Sequence, residues 1–482
     1  MKGFIMATLR YQKRGNKYYV YEVHQYWDKE LKKPRQKTKY LGMADEDKGP
    51  YSKPGRRGIG DSLALSENEI LDCGDSYAVA EISQTIGLTE VMKESFGEVD
   101  SILSLICFQI TEGSAMYNCA DWMEGNIAKR LFPKAKVSSQ DISRHIKFIG
   151  KQEVQTRFFK NYIAKFFPNK RGLLMDSTAL PSAINASLNA FGYASGIIEE
   201  NVSCLMLVDK ELKLPIYFRA IGGDIADISA VKTTVNEIKK LGLDAESAIL
   251  DAGFCSKENL QFLCEEKINF LTRLPKSHKI FKTFVEKTEK EIEKAENLTK
   301  YGERVVFVKS SMEKVYGHEI YVHVILDLGK KNKDLRCIFK EQSNEKLSEK
   351  ETQDLQEKVD SAGYFILLSL QPLEKDQILP SYYTRQAIEQ VFGFAKSNTN
   401  ILPLRVHDDQ SIRGYLMLVF LALVIYISLR QRLQCPVDKA LLTLRSFKAK
   451  VFDSEVLLQE PNKKTKDLFK QLSIIMPTKL GI

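Results

Sequence analysis

Between residues 170 and 276 the chain changes pattern in an order that leaves few folds open. Three apolar runs come first, GLLMDSTAL, VSCLMLVDK and PIYFRAIGG. A helical period follows in ISAVKTTVNEIKKLG, then an apolar run in SAILDAG, a second helical period in SKENLQFLCEEK and a last apolar run in NFLTRL. Short apolar runs bounded by turn signals read as buried strands. The three early strands are predicted to meander antiparallel, and the later ones, separated by helices, to pair in parallel. The expected class is α/β, built on one mixed sheet.

Two of these runs carry a single acid. Asp176 lies in GLLMDSTAL and Asp251 in SAILDAGF. Both are expected near the C-terminal end of a strand, the edge at which α/β sheets place their chemistry. The simpler reading of each is a turn former or helix N-cap.

A third group lies at Tyr382–Lys396, YYTRQAIEQVFGFAK, with Tyr382, Arg385, Glu389 and Lys396 spaced Y-x2-R-x3-E-x6-K. At about 100° per residue, one helix would bring all four onto a single narrow face. Glu389 could then ligate a divalent cation while Arg385 and Lys396 grip phosphate oxygens. The simpler reading is a solvated face with an i,i+4 pair between Arg385 and Glu389. Three carboxylates, Asp176, Asp251 and Glu389, suffice to hold two cations about 4 Å apart.

These residues resemble those of insertion-sequence DDE transposases of the IS-four-like group, which carry the Y-R-E-K signature. The matching positions are Asp176, Asp251 and the set Tyr382, Arg385, Glu389 and Lys396, with a spacing of 75 positions from Asp176 to Asp251 and 138 from Asp251 to Glu389. The likeness covers about residues 150–430, and the opening YQKRGNKYYVYEVHQYW also looks like that of many such proteins. It implies an RNase H-like core interrupted by a strand-rich insertion. It also implies Asp176, Asp251 and Glu389 as catalytic metal ligands for two Mg²⁺ or Mn²⁺ ions. Tyr382, Arg385 and Lys396 become DNA contacts, with Arg385 and Lys396 reaching outward because cations aimed at the metals would repel them. The implied partners are double-stranded DNA, both terminal inverted repeats and target, and a second copy of the chain. The implied activity is cut-and-paste transposition by strand cleavage and 3′-OH strand transfer. The rival readings are an end-binding regulator that does not cut and an RNase H-like nuclease with a cellular role.

Charge placement agrees with a polyanion partner. The chain of 482 residues has a formal charge of +9. Residues 1–60 alone carry 15 Lys/Arg against 6 Asp/Glu, and residues 430–482 carry 11 against 5, so the middle is acidic. Basic flanks can grip a polyanion around a cation-binding centre, although ordinary solubilising charge allows the same total. The expected organisation is a basic β-ribbon module and linker at 1–60, with the linker at 44–62. A helical DNA-binding domain at 61–168 and the first part of the core at 169–276 follow. An insertion domain is expected at 277–375, the second part of the core at 376–430 and a basic helical tail at 431–482. In the helical region two helices should meet near Gly87, as a helix-turn-helix or a plain helical hairpin.

Eight scattered cysteines form no C-x-x-C and read as reduced core residues, and the six histidines show no ligand spacing. The opening MKGFIMATLRYQKR has too short an apolar run for a signal peptide. The 14-residue stretch 416–429 is short for a membrane span and is expected as a buried core helix. A prokaryotic, cytoplasmic, nucleoid-associated protein with no membrane partner is the expectation.

Overall fold

In the computed structural model residues 7–28, 33–52, 67–182, 184, 186–194, 197–223, 227–341, 349–397, 404, 406–452, 455–476 and 479–480 are described. Most of the expected linker falls on 53–66, outside the described residues. The chain divides into two compact units, residues 1–68 with 452–454, and the remainder.

In the first unit, β1 (Ala7–Arg14), β2 (Lys17–Asp28) and β3 (Lys33–Ala44) form an antiparallel meander. Arg14 pairs with Lys17, so Gly15 and Asn16 are the whole first turn, and Gly15 takes the positive φ of +63° that such two-residue turns demand. Strand alternation sends Lys33, Arg35, Lys37 and Lys39 to one face of β3. They lie opposite Asp28, Tyr26, His24 and Glu22 of β2. The other face carries buried Val23 and the rings of Tyr21 and Tyr40, 5.3 Å apart.

β4 (Glu67–Asp72) spans the boundary, and the second unit continues through helices Gly74–Thr85, Leu88–Phe96, Asp100–Thr111, Ser139–Ile149 and Gln152–Phe166. The first two helices meet at Gly87, whose φ is +81°. The central sheet contains β5 (Arg171–Pro181), β6 (Ala190–Ala194), β7 (Ile197–Asp209), β8 (Pro215–Gly222), β9 (Ala245–Leu250) and β10 (Asn269–Leu274). It is completed by β11 (Leu298–Tyr301), β12 (Arg304–Val315), β13 (His318–Asp327) and β14 (Tyr364–Ser369). The order is β11-β12-β13-β14-β10-β9-β5-β7-β6, with β8 also paired to β7. β7 pairs antiparallel with both β5 and β8, whereas β9 runs parallel to β5 and β10 parallel to β9. This large mixed sheet is consistent with an RNase H-like core.

Residues 277–375 do not form a sheet of their own: β14 pairs antiparallel with β10, and β11–β13 extend the same sheet outward. Edge strands are stabilised by pairing, so the strands supplied here continue the core's hydrogen-bond ladder instead of founding a second one. The tail is not wholly helical either. After helix Val437–Arg445 it gives β15 (Lys448–Phe452), β16 (Val456–Leu458) and, beyond helix Lys463–Gln471, β17 (Lys479–Leu480), which join β4 in a four-stranded sheet. Its cations serve the fold as well: Arg445 Nε donates to the buried Asp75 at 2.8 Å, and its Nη1 lies 2.9 Å from Glu112. All eight cysteines are free; five are buried, but Cys337 is exposed and is not a core residue.

The helix Asp409–Arg432 runs through the interior of the second unit. It is apolar and long enough to cross a membrane, yet its side chains from Leu416 to Leu429 are buried within the protein. Phe420 is ringed by Phe158, Phe159, Tyr162 and Phe218, with centroids 5.3–6.3 Å away. One end meets helix Ser139–Ile149 backbone to backbone: a β-carbon at Gly414 would lie 1.9 Å from the Ile146 carbonyl oxygen, and one at Gly150 1.9 Å from that of Gln410. Gly414→Ala is therefore expected to cost about 1–3 kcal/mol or more through overpacking. A denaturant midpoint equal to wild type would show that the two helices separate freely.

A second expectation concerns β13. His323 is fully buried in the middle of this strand, between Ser310 Oγ at 2.7 Å and Ser369 Oγ at 2.9 Å. Burial holds its imidazole down at about 4. Because the folded value lies below the unfolded one of about 6.5, this residue favours the folded state fully above that pH and progressively less as pH falls toward 4. The loss over that window is about 3 kcal/mol. Stability measured from pH 7 to 4 should fall less steeply in His323→Gln, and identical pH profiles would contradict this reading.

Candidate active site

The parallel ladder between β5 and β9 brings the two aspartates side by side. Met175 pairs with Leu250; Asp176 is the next residue on β5, and Asp251 is the first residue beyond β9. Asp176 is thus not at the end of its strand but midway along β5, level with the point where β9 stops. β5 continues because β7 still pairs with it, Asp176 facing Met206. Asp251 heads a short 3₁₀ turn, but its carboxylate makes no capping hydrogen bond. Neither residue is thus a helix cap. Sequence reasoning missed a supporting residue, the buried Thr272 of β10, whose hydroxyl lies 3.4 Å from the Asp251 carbonyl oxygen. The only signal for it was one hydroxyl inside the apolar run NFLTRL.

The Tyr382–Lys396 stretch does not form the single helix expected. One helix covers Lys375–Tyr383 and a second Gln386–Ser397, with Thr384 and Arg385 in the turn between them. Thr384 bonds its own hydroxyl back to the Pro380 carbonyl at 3.1 Å, a contact that bends helices. The amides of Arg385 and Ile388 then reach back only three residues, at 3.1 and 2.9 Å. Glu389 and Lys396, seven residues apart on the second helix, still share a face.

The turn aims Arg385 inward. Its Nη1 lies 3.0 Å from Asp176 Oδ2, and its Nη2 lies 2.7 Å from Glu389 Oε1 and 3.8 Å from Asp251 Oδ1. The expectation that Arg385 reaches outward is corrected: the unbalanced acids attract it, and its side chain is only 16% exposed. The i,i+4 pair of the simpler reading exists, but a solvated pair would not also reach two strand-borne aspartates. Tyr382 likewise faces inward. It is 4% exposed and donates its hydroxyl proton to Asp251 Oδ1 at 3.1 Å, with Arg385 Cζ 5.9 Å from its ring centre. Lys396 is exposed, as is Glu389.

Burial pushes the Asp176 carboxyl up to about 6, and the charges of Asp251 and Glu389 push the same way, against Arg385 and the Ser177 amide. The cluster therefore carries more negative charge than one guanidinium offsets. Three hard oxygen donors suit Mg²⁺ or Mn²⁺. With Arg385 among them, no three acidic, His or Cys side chains among the described residues stand close enough together to hold a metal ion as they are.

The model of the family described as "Transposase DDE domain" matches residues 168–425, more than half of the chain. The chain belongs to this family. In this DDE transposase the matched span takes in Asp176, Asp251, Arg385 and Glu389, and it also includes the strands of 277–375. No curated protein matches the chain. Among solved structures it is similar to the piggyBac transposase synaptic complex with hairpin DNA, determined by cryo-EM. That likeness has 11% identity, covers 83% of this chain and 70% of the other, and has a TM-score of 0.36.

Proposed function

We propose that this DDE transposase belongs to the IS-four-like group with its Y-R-E-K signature. It binds the terminal inverted repeats of an insertion sequence, cuts at their ends and joins the freed 3′-OH to target DNA, working as a homodimer that holds two ends. The observation that carries this reading is the convergence of Asp176, Asp251 and Glu389 on one guanidinium, from two neighbouring strands and a helix. Three carboxylates brought together from positions so far apart in sequence are chemistry that folding alone does not require, because like charges repel. Asp176, Asp251 and Glu389 would hold Mg²⁺ or Mn²⁺, which when bound supplies Lewis-acid activation of the attacking oxygen and stabilisation of the leaving one at phosphorus.

The chain's own residues do the positioning. Tyr382 and Thr272 fix Asp251 from its side chain and its backbone. Lys396, exposed on the face that carries Glu389, contacts a DNA phosphate. Lys396→Ala should flatten the dependence of log affinity on log salt by about one unit. An unchanged slope would return it to an ordinary solvated lysine.

The functional test is a strand-transfer assay in Mg²⁺ on DNA carrying the element's inverted repeats. Excision followed by joining of the 3′ ends is the expected result. Binding without cutting would favour an end-binding regulator. Cutting that ignores the repeats would favour a cellular nuclease.

A further inference from the structure

We propose that Arg385 is a resident counter-ion of the three acids, and that its guanidinium competes with divalent cations for them and has to leave before they are bound. This rests on the reading of Asp176, Asp251 and Glu389 as the metal-holding set. The guanidinium forms an ion pair with one oxygen of each: it donates to Asp176 at 3.0 Å and lies 2.7 Å from Glu389 and 3.8 Å from Asp251. A divalent cation binds such oxygens at about 2.0–2.6 Å. It cannot sit among them while a guanidinium donates to Asp176 and lies against Glu389, because the two positive charges repel across that distance. The acids as arranged around Arg385 form no metal-holding group among the described residues. The arrangement is one in which a side-chain cation takes the place of a metal.

The backbone allows the exchange. Arg385 lies in the turn between two helices, held by bonds that reach back three residues rather than four. Its side chain can leave without unwinding either helix. Once released, it offers a planar fork of donors that suits phosphate oxygens. A phosphodiester that captures Arg385 would therefore free the acids for metal, and metal would free Arg385 for the phosphodiester. Such coupling is reciprocal by thermodynamic necessity. Tyr382 stays with Asp251 throughout and keeps that carboxylate oriented.

The test is Mn²⁺ binding to the full chain without DNA, followed by calorimetry and by the electron paramagnetic resonance of free Mn²⁺. Arg385→Gln should bind Mn²⁺ about 5- to 150-fold more tightly than wild type, the usual range of a coupling between two sites. Its thermal midpoint without metal should drop, since three acids then face one another unbalanced, and added Mn²⁺ should raise it by more than it raises the wild type. Arg385→Lys, which keeps the charge but cannot bridge three acids at once, should show a smaller gain and serves as the variant if Arg385→Gln does not fold. Affinity equal to or weaker than wild type in a folded variant overturns the proposal. Asp176→Asn separates the two readings. If it leaves Mn²⁺ binding unchanged, the acids are not the metal site and the functional reading falls with the proposal. If it abolishes binding while Arg385→Gln gains nothing, only the counter-ion role falls.

Discussion

Asp176→Asn, Asp251→Asn and Glu389→Gln are each expected to lower Mg²⁺-dependent cleavage of end-bearing DNA on the order of 10³-fold or more, about 4 kcal/mol of transition-state stabilisation. The effect should be nearly the same for all three, because each is one third of a donor set that acts as a unit. Folding should be spared. The Asp176 charge is already disfavoured by burial and by two neighbouring acids, so replacing the carboxylate with an amide relieves repulsion. Glu389→Gln leaves Arg385 with two acidic partners. Thermal midpoints within a few degrees of wild type, with DNA binding retained, would establish that loss of cleavage is chemical. An intact variant of any of the three that cuts at the wild-type rate would remove that residue from the site.

Neutralising Lys33, Arg35, Lys37 and Lys39 together is expected to weaken binding to the terminal repeat and to flatten the salt dependence of log affinity by about 3 to 4 units. The four cations alternate along β3 and so occupy one face of the ribbon. The neighbouring strand offers only two acids against them, Glu22 and Asp28. The competing idea gives recognition to the basic tail. There, however, Arg445 is committed to Asp75 and Glu112, and Lys448 pairs with Asp72. Helix Lys463–Gln471 carries four exposed cations of that segment, and the matched control replaces Lys463, Lys464, Lys466 and Lys470 with Ala. Mobility-shift titrations at several salt concentrations compare the two. Full affinity in the ribbon variant and loss in the tail variant would place end recognition at the C-terminus.

Much of this was legible in the residues themselves. The α/β class followed from short continuous apolar runs that alternate in a fixed order with stretches of helical period between 170 and 276. The two aspartates were conspicuous because each interrupts an apolar run, and Glu389 because its neighbours repeat a known spacing. The core helix announced itself by being apolar on every side, as only an enclosed helix can be.

What the sequence could not decide was set by pairing and by charge at a distance. The strands of 277–375 carry no mark of which ladder they will join; the free edge of β10 decided that. The tail's strands are only a few residues long and become strands by meeting β4 and one another. The site's final geometry depends on register. Nothing in either segment says that Met175 pairs with Leu250, yet that single parallel register places Asp176 beside Asp251. The direction of Arg385 is likewise a tertiary result. Its local sequence allows a solvated pair with Glu389, and only the folded sheet supplies the two further carboxylates whose field turns the side chain inward. Local patterns thus specified which groups carry the chemistry, while long-range hydrogen-bond register and electrostatics, which no local window contains, specified how those groups meet.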